Sequence, residues 1–526
     1  MEMYRFRTMR IRVLCFLLML TLNCMAQETF YVNQKTGDDN NAGTDSKKAW
    51  KTLNANAWKA NSVIKVASGT YKIDNLIAVN FPVTVEGTDV TSTIIEGMTN
   101  DDFIADKTTN GSFILKDGAV VSFKKISIQN IRYIASGSTP KRNGGIFDIG
   151  DNCTLNLEEV VLKNTFLPAA LGGAIINKGT LKCKNIVFDN CIAMHGGAVY
   201  MTAKSNAYFE RCRFTNNSTK DKFESAKYGG AICVNAQQAI LTIDKCVFEG
   251  NRSENNSATV DPLKPDGGAI ALRLLPVSNY KIDITNSSFT NNYAFQVGAA
   301  IGTSLNGTPT EKTVLNLDIR NSTFFGNKTS SAIASSGNTI NLTGHSTQLH
   351  NGRLTLVNNT FFMNNNGNPG MKSIMSNDLR FEYVLVNNVF MDAVKQSPSD
   401  RLGVGYSIVL QTPKDATTFN AKFIAMNNAY DRCGGALSNG TGPYAAWTDG
   451  ANQNLSNLYN DKGKLSNDLI NNSLGIPHVA IGNKSSYLIN AGINEYLFNG
   501  QNIVLPTDIN DVGIKAKKKD IGAYEF

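Results

Sequence analysis

A chain of 526 residues is too long for one compact core of the usual kind, so several domains or one elongated array are expected. Its formal charge of +8, with 18% charged residues and no dense Lys/Arg block, excludes a nucleic-acid binder built on a basic face. Nine cysteines without a C-x-x-C pair argue against a disulfide framework and against a zinc site.

The chain opens MEMYRFRTMRIRVLCFLLMLTLNCMAQETF. Arg5, Arg7, Arg10 and Arg12 form a basic stretch, an apolar run from Ile11 to Leu22 follows, and Ala26 places a small residue before Gln27. This is the plan of a signal peptide over residues 1–26, and it predicts a secreted or cell-surface protein. Cys24 offers a lipoprotein alternative, but Asn23 is a poor small residue ahead of it, so soluble export is expected. Removing four Arg and one Glu lowers the mature charge from +8 to +5. No second apolar run is long enough to span a membrane.

Residues 27–119 read as a cap and first irregular coils. TGDDNNAGTD (36–45) offers Asp and Asn oxygens to calcium, but its spacing does not complete an EF-hand loop, and a turn is the simpler expectation. SKKAWKTLNANAWKAN (46–61) places Trp50, Leu53, Ala57 and Trp58 on one helical face, which predicts a short cap helix over the open end of a solenoid. VIKVASGTYKI and FPVTVEG then read as the first strands.

Residues 120–437 repeat. Aligned on one anchor residue (Ile128, Leu162, Phe188, Phe214, Phe248, Phe289, Phe324, Phe361, Phe390, Tyr430), each unit carries an apolar residue five positions earlier, from Phe123 to Leu385. Anchor and anchor−2 share one strand face, and anchor−5 and anchor−7 share another. The parity break falls three residues before the anchor, where Asn stands at 185, 286, 321, 358, 387 and 427. Asn tolerates the left-handed conformation that a sharp turn between strands needs, and stacked Asn side chains can bond in a ladder. A second Asn, three after the anchor (217, 251, 292, 327, 364), is expected to end the next strand in the same manner.

A third strand carries Gly-Gly-Ala-Ile or a variant at 144, 172, 196, 229 and 267, degenerating further on. Paired glycines admit a turn where side chains would clash, and Phe147, Ile175, Val199, Ile232, Ile270 and Ile301 follow as an inward column. Three short strands per turn predict an all-β chain forming a single right-handed parallel β-helix of about ten to twelve coils. Cys212 and Cys246 share one slot in consecutive coils and are expected to be small buried residues. Residues 438–526 read as a closing segment.

The pair F-x-x-N and G-G-A-[ILV], recurring in fixed order over roughly 120–437, resembles the repeat of the polymorphic outer-membrane proteins, surface β-helices of the autotransporter type. The opening FYVNQKTGDDNNAGTDSKKAWKTLNAN with IKVASGTY, and the ending DIGAYEF, are similar to secreted β-helix proteins of the pectin-lyase-like class. The resemblance implies the fold and export, and no activity by itself. Autotransporter relatives carry a C-terminal membrane barrel, whereas residues 438–526 do not alternate over enough long strands to predict one.

Chemistry is expected where loops of varying length hang on this scaffold, at 129–143, 215–228 and 249–266. The residue before Gly-Gly is Asn143, Leu171, His195, Tyr228 and Asp266 in successive coils, flanked by Arg142, Lys227 and Arg273. A polysaccharide lyase needs a cation against a uronate and a base for the C5 proton. His195 or Tyr228 would be that base, Arg142, Lys227 or Arg273 the cation, and Asp266 a possible calcium ligand. A hydrolase would need two facing carboxylates, and Asp148 and Asp266 lie coils apart. With no compact acid–base set, the preferred expectation is a secreted or surface protein of adhesin type that binds a polysaccharide or cell-surface glycan through Asn143, Lys227, Asp266 and Arg273. A lyase acting on acidic polysaccharide is the alternative.

Overall fold

The computed structural model describes residues 27–53, 55–104, 107, 109, 111–134, 143–219, 228–254, 267–305, 313–330, 338–342, 351–362, 364, 372–376, 381–391, 408–410, 423–430, 437–438, 453–454, 465–471, 473, 475–481, 493–498, 501–508 and 519–520. Residues 1–26, which include Cys24, together with Arg142, Lys227, Asp266 and Cys433, lie outside the described residues.

The chain is an all-β parallel β-helix. One sheet starts at Thr29–Val32, continues through Ser62–Val66, Val83–Gly87 and residues 120–124, and ends at Phe423–Met426. A second starts at Gly69–Lys72, takes in the anchor strands, and runs to Gln453–Asn454. The third runs from Leu76–Val79 to Leu437–Ser438 and contains the strands after the paired glycines. Every pairing in these sheets is parallel, so each coil buries its apolar side chains against the next.

Register fixes the core. Phe188, Phe214, Phe248, Phe289, Phe324 and Phe361 pair directly from coil to coil. Their ring centroids lie 4.6, 4.6, 4.7, 4.9 and 4.5 Å apart, with interplanar angles of 7° or less. That spacing is the inter-strand distance of a sheet, so the backbone imposes the stack. Ile175, Val199, Ile232, Ile270 and Ile301 form a second inward column on the third sheet, all buried.

The recurrent Asn residues do turn the chain: Asn185, Asn286, Asn321, Asn358, Asn387 and Asn427 have φ between 49° and 56°. Lys125, Glu159, Arg211 and Lys245 take the same conformation in the same slot of other coils. The expected ladder joins Asn321 Nδ2 to Asn286 Oδ1 at 3.2 Å and Asn358 Nδ2 to Asn321 Oδ1 at 3.1 Å.

The second turn corrects the expectation by one residue. The left-handed position is two after the anchor, at Asn130, Asn164, Asn190, Asn216, Gly250, Asn291 and Gly326. This swings the following Asn inward, where its amide must find partners without water. Asn217, Asn251, Asn292 and Asn327 each donate Nδ2 to the Oδ1 of the next, ending on Asn364, at 2.7–2.9 Å. Each Nδ2 also reaches a phenylalanine carbonyl of the previous coil, as Asn292 does with Phe248 at 2.9 Å.

The two glycines of each pair serve different needs. Gly196 has φ 61°, whereas a Cβ on Gly197 would lie 2.0 Å from the carbonyl oxygen of Gly230 in the next coil. Cys212 and Cys246 are free and fully buried, and burial raises the Cys246 thiol well above its ordinary range.

The cap departs from the predicted helix. Residues 46–61 form two 3-10 turns, Ser46–Lys48 and Ala55–Ala57, with Trp50 bridged to Val32 between them. Trp50 donates its main-chain N–H to Tyr31 O at 2.9 Å, and its carbonyl accepts from Asn33 N at 2.7 Å. Those bonds extend the backbone, while Trp50, Leu53 and Trp58 still bury over the first coils.

Candidate functional site

The parity of the third strand places one residue inward and the next outward. Directly after the inward column, Asp148, Ile176, Tyr200, Cys233 and Ala271 align on the outer face. The residues before the paired glycines stand beside this row. Leu171 pairs with His195, and His195 bridges Tyr228. Main-chain bonds hold them there, from Gly172 N to His195 O at 3.0 Å and from Gly196 N to Tyr228 O at 2.9 Å.

The predicted residues His195, Tyr228 and Arg273 are brought together. The His195 and Tyr228 ring centroids lie 5.1 Å apart, and the Arg273 guanidinium carbon sits 4.1 Å from the Tyr228 centroid. Such a cation over an aromatic face is attracted by the ring quadrupole. Asn143 stands two coils before His195, and its Oδ1 accepts the Leu171 N–H at 3.1 Å. Arg142, Lys227 and Asp266 are outside the described residues, although each is next in sequence to this patch or its glycines.

Three contributors escaped the sequence reading. Tyr200 lies 6.4 Å from His195, centroid to centroid. Asn235 Nδ2 donates to the Tyr200 hydroxyl at 2.6 Å. Tyr280, inside the coil, donates its hydroxyl to Arg273 O at 2.6 Å and so fixes the strand carrying that arginine. The outward parity of positions 200 and 235 was the signal available. Nothing local marks Tyr280, which acts across a turn.

Burial decides what these groups can do. His195 and Tyr228 are 8% and 6% exposed, and Tyr200 is buried with them, whereas Asn143, Leu171, Asn235 and Arg273 are half-buried. Burial is the largest influence on the Tyr200 phenol and pushes it up to about 12. Cys233 is pushed up to about 12 for the same reason, so neither is an ionised base or nucleophile at neutral pH. The patch has buried rings and half-buried amide and guanidinium groups.

The other expected sites are occupied by structural bonds. Asp39 accepts Lys51 N, Thr52 N and the Thr52 hydroxyl, each at 2.8 Å. Burial pushes its carboxyl up, but the bonds from Thr52 and Lys51 outweigh that and hold it lowered. Asp38 and Asp45 likewise bond their own turns. Asp38, Asp39 and Asp45 thus hold the turn expected over 36–45. Asp148 pairs with Lys178 at 2.8 Å. Among the described residues no group of three or more His, Cys, Asp or Glu side chains could hold a metal ion.

Residues 211–235 match the Chlamydia polymorphic membrane protein repeat. That span holds both motifs of one coil, Phe214 with Asn217 and Gly229 to Ile232. No curated protein matches the chain. Among solved structures, a rhamnogalacturonan lyase aligns at 13% identity and TM-score 0.32 over 76% of this chain and 87% of its own. XylC in complex with xylose aligns at 8% identity and TM-score 0.41 over 95% and 98%. The pectate lyase Pel9A aligns at 12% identity and TM-score 0.32 over 96% and 98%.

Proposed function

We propose that the protein is exported to the cell surface or the medium and binds a glycan on the outer face of its third sheet without cleaving it. The observation that carries this reading is the juxtaposition of Tyr200, Tyr228, His195 and Arg273 on neighbouring coils. The buried rings fix the half-buried amide and guanidinium groups at their border, and a few oriented polar groups of that kind suit a sugar's hydroxyls. Half-buried Asn143, Asn235 and Arg273 would supply the directional bonds, and Arg142, Lys227 and Asp266 of the adjoining loops would add charge. The match to a membrane-protein repeat at 211–235 supports surface display, as does the signal-peptide plan of the first 26 residues.

A lyase is the second reading, favoured by one observation. Arg273 stands over Tyr228 with His195 beside it, which is the cation-and-base pairing that β-elimination requires. The burial of both candidate bases disfavours it.

The test is a glycan array probed with residues 27–526 and with the Arg273→Ala variant. Binding to a defined glycan class that falls about tenfold or more in the variant is expected, because a packed arginine at a site centre is a typical hot spot. Equal binding by both proteins would remove the patch from the account.

A further inference from the structure

The described pieces of the closing segment lie against the outside of the solenoid, held by groups far away in sequence. Arg213 Nη1 donates to Gly475 O at 3.0 Å, and Ile476 packs on Val247. Asn387 pairs twice with Ile493, donating to its carbonyl at 2.8 Å and accepting its N–H at 3.0 Å. Asn321 Nδ2 donates to Thr507 O at 2.6 Å. Ile493, Tyr496 and Val504 cover Val357, Val384 and Val386, outward residues of the first sheet that would otherwise form an apolar stripe.

A titratable group sits inside this attachment. His478 is 1% exposed in the strand Pro477–Ile481, which lies against Ser288–Thr290 and Thr323–Phe325. We propose that residues 475–481 and 493–508 form a pH-sensitive strap, docked on the solenoid at neutral pH and released through His478 in acid, uncovering Val357, Val384 and Val386.

The surroundings of His478 favour its neutral form. The two solenoid strands against it have no ionisable residue. Its hairpin partner, Leu465–Asn471, includes Asp468. The nearest coils add the Arg213–Glu249 pair, 3.5 Å apart. From the tail come Asp508, Lys519 and Asp520, all buried, with Lys519 Nζ donating to Leu505 O at 3.0 Å and Thr507 O at 2.8 Å. Burial lowers the His478 imidazole, and the Ile476 carbonyl and the Asp508 charge offset this only in part.

The sign follows from linkage. A released strap exposes an imidazole that binds its proton near its ordinary value of about 6.5, while the docked one binds it only at lower pH. The released state therefore takes up more protons in acid. Docking is strongest above the ordinary histidine value and weakens as pH falls below it, by up to about tenfold per pH unit until the docked group also titrates.

The experiment is hydrogen–deuterium exchange of the full mature chain at pH 7.5 and 5.0, corrected for intrinsic rates and read by peptide. Wild type should lose protection in peptides from 475–481 and 493–508 at pH 5.0, by at most about thirtyfold, with peptides over 199–209 unchanged. Equal strap protection at both pH values would overturn the proposal. In His478→Asn the loss of protection between the two pH values should be clearly smaller than in wild type, and a loss as large as the wild type's would overturn the proposal equally.

Discussion

At the scale of single residues, this fold is a set of conformational demands met in most coils and strained in a few. The slot three before the anchor is left-handed whether Asn or a charged side chain fills it, and Glu159 occupies it at φ 52°. An ordinary residue is disfavoured there because its Cβ crowds the following carbonyl oxygen, whereas Asn tolerates the conformation. Glu159→Asn should therefore raise stability by about 0.5–1 kcal/mol, visible as a higher midpoint in urea. Gly197→Ala should do the opposite, because its Cβ would meet the Gly230 oxygen and backbone cannot retreat from backbone in a stacked coil. A loss of about 3 kcal/mol or more is expected, or failure to fold. Asn was legible in the sequence as a turn residue because its tolerance is a local property. Its second role, three after the anchor, was not. A one-residue shift of the turn decides whether that amide faces in or out, and the motif alone is silent on it.

At the scale of elements, the interior ladders join coils that share no covalent neighbourhood. Asn292 donates to Phe248 O and Asn327 Oδ1, and accepts from both Asn251 N and Asn251 Nδ2. Asn292→Ala would leave the buried Asn251 main-chain N–H without its acceptor and Asn251 Nδ2 with Phe214 O alone, and a cost of about 3 kcal/mol or more is expected in equilibrium unfolding. The slot two before the anchor performs the same service with changing chemistry. Cys212 N donates to Cys246 Sγ, Cys246 N to Ser287 Oγ, Ser287 N to Ser322 Oγ and Ser322 N to Asn359 Oδ1. Cysteine there is one member of a series of small acceptors, which accounts for thiols that stay reduced and buried. The strands and their inward columns were legible because period-two patterning recurs coil after coil. The cap was misread for the converse reason: a single segment offers no repetition, and its tryptophan spacing fits a helix as well as the extended bridge that Trp50 makes.

At the scale of the whole molecule, repetition brings distant residues to one face. The alignment of Asn143, Leu171, His195 and Tyr228 along adjacent coils could be anticipated from the paired glycines alone. The packing of Arg273 on Tyr228 and the bond from Asn235 to Tyr200 depend on outward parity and on side-chain reach, so they emerged only in three dimensions. The solenoid supplies rigid spacing, the third sheet gathers rings and polar groups from several coils, and the buried Tyr200 phenol remains un-ionised. On the function proposed above, that combination holds a sugar chain without breaking it. The most direct test incubates residues 27–526 with a glycan that the array identifies, then analyses the recovered glycan by size and by ultraviolet absorbance. A glycan that is retained by the protein and recovered at its original length, with no unsaturated ends, is the predicted result. Shortened chains with rising absorbance would contradict binding without cleavage and establish a lyase.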